Sequence, residues 1–162
     1  VCVPTYNGAQ YLKEALDSIA NQTFRNIEVI ISDDASKDAT ILIVEAFCNQ
    51  VNFPVYIYKH KPNCIAANWN HTLEKSNGKY IKFLFQDDIL NPTCIEVMVK
   101  VLETNKSIGL VASKREIKIE NSNNFNDGWI ESYGDLQRTL KFDPSDNINI
   151  IDRKVVLSKK MI

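Results

Sequence analysis

Short continuous apolar runs alternate along the chain with stretches in which apolar residues recur every three or four positions, a pattern that predicts strands alternating with helices. Residues 1–3 form the first run. Tyr11, Leu12, Ala15, Leu16, Ile19 and Ala20 then line one side of a helix over 9–22, approached through Asn7-Gly8. The β-branched run 27–32 suits a strand buried on both faces. A second helix spans 38–49 through Ile41, Val44 and Phe47, with Asp38 placed to cap it. Strand 55–58 and helix 65–75 follow, the helix carrying Ala66, Trp69 and Leu73 on one side. Asn77-Gly78 marks a turn. Residues 80–85 make the next strand, 92–104 a helix with Ile95, Val99 and Leu102 inward, and 108–113 a fifth strand.

Such alternation predicts an α/β fold, a Rossmann-like, mostly parallel sheet flanked by helices on both faces. From Lys114 onward the pattern breaks. Residues 119–149 are rich in Asn, Asp and Ser, with Trp129, Tyr133 and Phe142 interspersed, and read as a long irregular segment. The opening strand is short and 155–162 brings no closing element, so the domain is expected to extend past both ends.

Ligands of parallel sheets bind beyond the carboxyl ends of the strands. Three polar strand exits fall on that edge: Pro4-Thr5-Tyr6-Asn7, Asp33-Asp34-Ala35-Ser36 and Gln86-Asp87-Asp88. Two adjacent carboxylates ending an apolar strand are electrostatically costly unless a cation sits beside them. A hard divalent cation, Mg²⁺ or Mn²⁺, takes one or two carboxylates together with diphosphate oxygens. Successive residues leaving a strand point in different directions, so one carboxylate can take the metal while the other reaches a sugar hydroxyl. At the second exit, a carboxylate can accept a hydrogen bond from a nucleobase N–H. Asp34 is assigned to the base and Asp38 to capping, with Asp33 open to either. Thr5 and Tyr6 offer a hydroxyl and an aromatic face, ahead of a helix N-terminus that favours anions. Asn68 and Asn70 are poor helix-interior residues, so a tertiary hydrogen bond or a ligand accounts for them.

Composition narrows the field. The chain has 162 residues, 44% hydrophobic, and a net charge of −1 with both signs mixed along it. That is room for one core, without the basic stripe of a nucleic-acid binder. No apolar run reaches the roughly 18 residues that a transmembrane helix needs. The four cysteines lack C-x-x-C spacing and read as buried free thiols. His60, Cys64 and His71 have no zinc spacing. G-x-G-x-x-G, G-x-x-x-x-G-K-[ST] and G-x-S-x-G are all absent, which disfavours dinucleotide oxidoreductases, P-loop NTPases and α/β-hydrolases.

In order along the chain, Val3-Pro4-Thr5-Tyr6-Asn7, Leu16-Asp17-Ser18-Ile19 with Gln22-Thr23, Ile27 through Asp38, Ala67-Asn68-Trp69-Asn70 and Gly78 through Asp88 resemble glycosyltransferase family 2. The resemblance covers about residues 1–112 and implies the GT-A fold. It implies transfer of a sugar, usually with inversion, from a nucleotide-diphosphate sugar (UDP-sugars favoured) to a hydroxyl of a saccharide or lipid-linked saccharide. Carried over by residue, Pro4, Thr5, Tyr6, Asn7, Asp33, Asp34, Asn70, Gln86 and Asp87 would bind the nucleotide-sugar, and Asp88 the Mn²⁺ or Mg²⁺. The pathway implied is bacterial cell-surface polysaccharide synthesis, in the cytoplasm or peripherally at the inner face of the plasma membrane. Residues 1–112 would form the donor-binding core of one catalytic domain and 113–162 the start of its acceptor side. Ala35 stands where the family commonly has Gly, Cys64 where Gly is frequent, and Gln86-Asp87-Asp88 replaces the usual D-x-D. The family's catalytic base lies on a later segment. Asp127, Glu131, Asp135 and Asp152 carry no matching motif, so the base is expected beyond Ile162.

Two other readings compete. A non-catalytic nucleotide-sugar or glycan-binding domain would share the scaffold but lack the base. A sugar-phosphate nucleotidyltransferase would want a Gly-rich phosphate loop after the first strand, which Pro4–Gly8 does not supply.

Overall fold

The computed structural model describes residues 1–59, 61, 64–113 and 148–151, the last four by backbone alone. The chain divides into two compact units, residues 1–99 and 100–162. In the first, β1 (Cys2–Thr5), β2 (Val29–Asp33) and β3 (Val55–Lys59) form a parallel sheet in the order β1-β2-β3. The register pairs Pro4 with Ser32 and Thr5 with Asp33. Helices α1 (Leu12–Ala20), α2 (Thr40–Cys48) and α3 (Ile65–Lys75) lie between the strands, and α4 (Cys94–Thr104) begins at the end of this unit.

Strand alternation distributes the helices over two faces. Val3, Val29 and Ile31 point into a core with Leu12, Leu16 and Ile19 of α1 and Val44 and Phe47 of α2. Burial of each large aliphatic there contributes about 2 kcal/mol. One residue out of phase, the Cys2 thiol donates to the Thr72 carbonyl of α3, and Ser32 Oγ meets His71 Nδ1 at 2.7 Å. The expected α/β architecture with helices on both faces is therefore present.

Two expected strands differ. Residues 80–85 run parallel to the outer side of β1 but join it by a single bridge, Cys2 to Phe83, flanked by Cys2 N–H to Lys82 O and Leu84 N–H to Cys2 O. In that register the next donor toward this segment would be residue 4, and proline has no N–H. The ladder stops there. Residues 108–113 were expected to extend the parallel set; instead β4 (Leu110–Ser113) pairs antiparallel with β5 (Ile148–Ile151) in a separate sheet of the second unit. A β-branched run specifies a strand but not its partner.

Smaller differences have local causes. Asp38 sits one residue before the cap position of α2, which is Ala39, and its carboxylate bonds the N–H of the first helical residue, Thr40. On α3 the residues turned to the sheet are Asn68 and Thr72, while Trp69 and Leu73 are each 39% exposed. Trp69 packs on Phe85 at 4.6 Å between ring centroids. All four cysteines are free as expected, but only Cys2 is buried: Cys48 and Cys94 are half-buried and Cys64 is exposed.

With residues 80–85 on the far side of β1, the spatial order is fourth segment, β1, β2, β3. The chain thus reverses direction across the sheet at β1. That is the topological switch point, beyond whose carboxyl ends open α/β sheets form their ligand crevice.

Candidate functional site

Thr5 ends β1 fully buried and acts as a knot. Its Oγ1 donates to Asp33 Oδ1 at 3.0 Å, and its carbonyl accepts Asp34 N–H and Asn68 Nδ2, each at 3.0 Å. The first two strand exits and α3 therefore meet at one residue. Beyond it, Asn7 takes φ 45°, a left-handed turn that asparagine tolerates better than most residues. Its N–H donates to Ser36 Oγ and its Oδ1 accepts Lys37 N–H, both at 2.8 Å. Gly8 N–H donates to Thr40 Oγ1 at 2.8 Å and Ala9 N–H to Asp38 Oδ2 at 3.0 Å. The β1–α1 and β2–α2 loops are thus laced together, and Tyr6, at the start of the first, is 54% exposed.

The two carboxylates of the second exit have different surroundings. Asp33 is 1% exposed, and both of its oxygens are occupied. Oδ1 accepts the Thr5 and Ser36 hydroxyls, and Oδ2 the Ser36 N–H at 2.8 Å. Asp33 holds the loop in shape. Asp34 follows at 8% exposure, with Ala35 behind it at φ 59°. Asp38 is pulled below its ordinary value of 3.8, first by the Thr40 hydroxyl and then by the Ala9 N–H.

The third exit is a tight turn closed by Asp88 N–H to Phe85 O at 3.1 Å. Gln86 folds back onto Tyr6, accepting its N–H at 2.9 Å and donating to its carbonyl at 3.1 Å. Behind the turn, Leu90 N–H donates to Ser18 Oγ at 3.1 Å, so the turn is held from both sides. Asp87 is exposed and Asp88 half-buried. Among the described residues, neither carboxylate has a hydrogen-bond or ion-pair partner. No group of three His, Cys, Asp or Glu side chains suited to a metal occurs among them either. The donor set matches a hard cation that completes its shell with a ligand's phosphate oxygens, and does not match an all-protein metal cage.

The structure brings Pro4, Thr5, Tyr6, Asn7, Asp33, Asp34, Gln86, Asp87 and Asp88 to one sheet edge. Asn70 does not join them: it is exposed on α3, with no hydrogen bond to the exits among the described residues. Two residues earlier, Asn68 is the amide that reaches the site. Ser36, part of the second exit, and Thr40, which no sequence pattern marks, are the hydroxyls that fasten the two loops. Asp127, Glu131, Asp135 and His60 lie outside the described residues, as does Asp152.

Residues 1–160 match the sequence family described as Glycosyl transferase family 2. An uncharacterised glycosyltransferase of Rickettsia prowazekii is 37% identical over 102 residues, covering 63% of this chain and 31% of that protein. Abequosyltransferase RfbV of Salmonella typhimurium is 30% identical over 165 residues, covering 98% of this chain and 46% of its own length. The crystal structure of S. aureus TarS in complex with UDP-GlcNAc superposes with a TM-score of 0.63 at 26% identity, over 73% of this chain and 36% of TarS. The chain thus spans between about a third and a half of the length of these proteins.

Proposed function

The chain belongs to glycosyl transferase family 2, and from that premise we propose that it holds the donor-binding part of a metal-dependent, inverting glycosyltransferase that uses a nucleotide-diphosphate sugar. Its parallel sheet is that of the GT-A glycosyltransferases to which it is structurally similar. The observation that carries the proposal is that Asp87 and Asp88, carboxylates without a partner among the described residues, share one sheet edge at the switch point with the exposed Tyr6 and with Asp34. A UDP-sugar is the favoured donor, since TarS binds UDP-GlcNAc at 26% identity.

In this reading the nucleobase lies against the Tyr6 ring, and Asp34 accepts its N–H. Asn7, Thr5 and Asp33 keep the two loops in shape. Asp87 reaches a hydroxyl of the ribose or of the donor sugar. Asp88 would hold Mn²⁺ or Mg²⁺, which when bound offsets the negative charge of the departing diphosphate. The acceptor hydroxyl, on a saccharide or lipid-linked saccharide, attacks the anomeric carbon from the face opposite the diphosphate. A new carbon–oxygen bond forms, the bond to the diphosphate oxygen breaks with its electron pair, and a carboxylate base takes the hydroxyl proton. That base is assigned to a segment beyond residue 162. The process served is cell-surface polysaccharide synthesis at the cytoplasmic side of the membrane.

Thermal unfolding with UDP, GDP or dTDP, with and without Mn²⁺, tests the proposal. A ligand at a hundred times its dissociation constant stabilises by about 2.7 kcal/mol. The expected result is such a rise with UDP only when Mn²⁺ is present, and its loss in Asp88→Ala. An unchanged rise in Asp88→Ala overturns the metal assignment. No rise with any of the three nucleotides overturns the donor site.

A further inference from the structure

Within the acidic turn, Gln86 differs from Asp87 and Asp88 because its carboxamide is turned back on the protein. Both of its halves are used by one residue's backbone, Tyr6 N–H at 2.9 Å and Tyr6 O at 3.1 Å. The side chain thereby continues, one step further, the pairing between β1 and residues 80–85 that Pro4 interrupts. It does so across the gap where the chain switches sides of β1. Room for it comes from Gly8. A Cβ there would lie 2.3 Å from Gln86 Oε1 and 2.6 Å from its Cδ. Gly8 is not at positive φ, so glycine serves here for space and not for backbone conformation.

We propose that Gln86 is a positioning residue: it clamps the turn carrying Asp87 and Asp88 to the β1 exit carrying Tyr6, and Gly8 is the notch that admits the clamp. Its functional consequence rests on the donor site proposed above, for it sets where Asp87 and Asp88 stand relative to Tyr6. One of the two Gln86 amide hydrogens is committed to the Tyr6 carbonyl. Gln86→Glu would set a carboxylate oxygen against the Tyr6 carbonyl and add a third negative charge to the turn. Gln86→Ala removes the clamp. Gly8→Ala displaces it by pushing on the Gln86 carboxamide from a position far away in sequence.

The test combines hydrogen exchange at the Tyr6 amide with UDP titration in the presence of Mn²⁺. Both are measured on the 162-residue chain, on Gln86→Ala, Gln86→Glu and Gly8→Ala, and on the double Gly8→Ala/Gln86→Ala variant. Tyr6 exchange is expected to quicken about ten-fold or more in every variant. Affinity for UDP with Mn²⁺ is expected to fall about ten-fold. The double variant should lose no more than Gln86→Ala alone, because both changes break one contact. Gly8→Ala, whose added methyl would meet the Gln86 side chain at Oε1, Cδ and Cβ, keeps the test valid should Gln86→Glu fail to fold. Unchanged Tyr6 exchange or unchanged UDP affinity in Gln86→Ala overturns the clamp, as do losses that multiply in the double variant. If the unmodified chain binds none of the nucleotides, the donor-site proposal fails instead, and Tyr6 exchange in the single and double variants still decides the clamp.

Discussion

Gln22 Oε1 accepts the backbone N–H of Ile95 at 3.0 Å, joining the residues after α1 to the first turn of α4. Gln22 is fully buried, and its Nε2 donates to Ser18 O at 3.0 Å and Asn91 O at 2.9 Å. A buried amide with every partner supplied fixes one arrangement of the segments around it. Here those segments flank the acidic turn. Gln22→Leu leaves the Ile95 N–H and two carbonyls without their partner, at about 1–3 kcal/mol for each buried group. Urea unfolding should show a loss of about 3–9 kcal/mol, one such cost for each of the three groups. A loss below half of the lower figure would show that water replaces the amide.

Ala35, at φ 59°, holds a conformation that costs an alanine about 1 kcal/mol. Ala35→Gly should relieve it, partly offset by the greater freedom of glycine in the unfolded chain. The expected net effect is stabilisation by about 0.5 kcal/mol, a rise of one or two degrees in Tm. A fall in Tm would mean that the alanine methyl makes a compensating contact.

Asp33 and Asp34 should separate by phenotype. Asp33→Asn turns an amide donor toward the Thr5 and Ser36 donors and should cost about 2–3 kcal/mol of stability. Asp34→Asn should instead weaken UDP binding about ten-fold, the loss of one charged hydrogen bond to the base, with a smaller change in Tm. Calorimetric titration alongside thermal unfolding distinguishes the two. The reverse assignment of phenotypes would exchange their roles.

Acidification should release Asp38. Its folded value lies below the ordinary 3.8, so its stabilising contribution is fully present above that value. The contribution is lost as pH falls through the lowered folded value. The unmodified chain should therefore lose stability more steeply than Asp38→Asn on going from pH 5 to about 3. Parallel curves of Tm against pH would remove Asp38 from the acid transition.

Much of the site was legible in the sequence because its pieces are local. A run such as 27–32 followed by Asp33-Asp34 places its carboxylates at a strand end by alternation alone, and parallel strands send their exits to one edge. The asparagines show the limit of that reasoning. Both Asn68 and Asn70 violate helix propensity equally, and only packing of α3 on β1 decides that Asn68 meets the Thr5 carbonyl while Asn70 faces solvent. Gln86 shows it again, since a residue inside an acidic motif spends its amide on Tyr6.

Residue type and spacing along the chain specify the alternating elements, the α/β class and the acidic strand ends, and the ordered motifs carry the resemblance to the family. Tertiary structure decided which polar groups are already satisfied. Asp33 and Gln86 are occupied by neighbours from distant segments, and Asp87 and Asp88 have none among the described residues. It also ended the pairing of 80–85 with β1 after one bridge, because Pro4 faces that segment without an N–H. Hydrogen-bond satisfaction is a property of groups brought together from far apart in the chain, and spacing along the chain does not encode it.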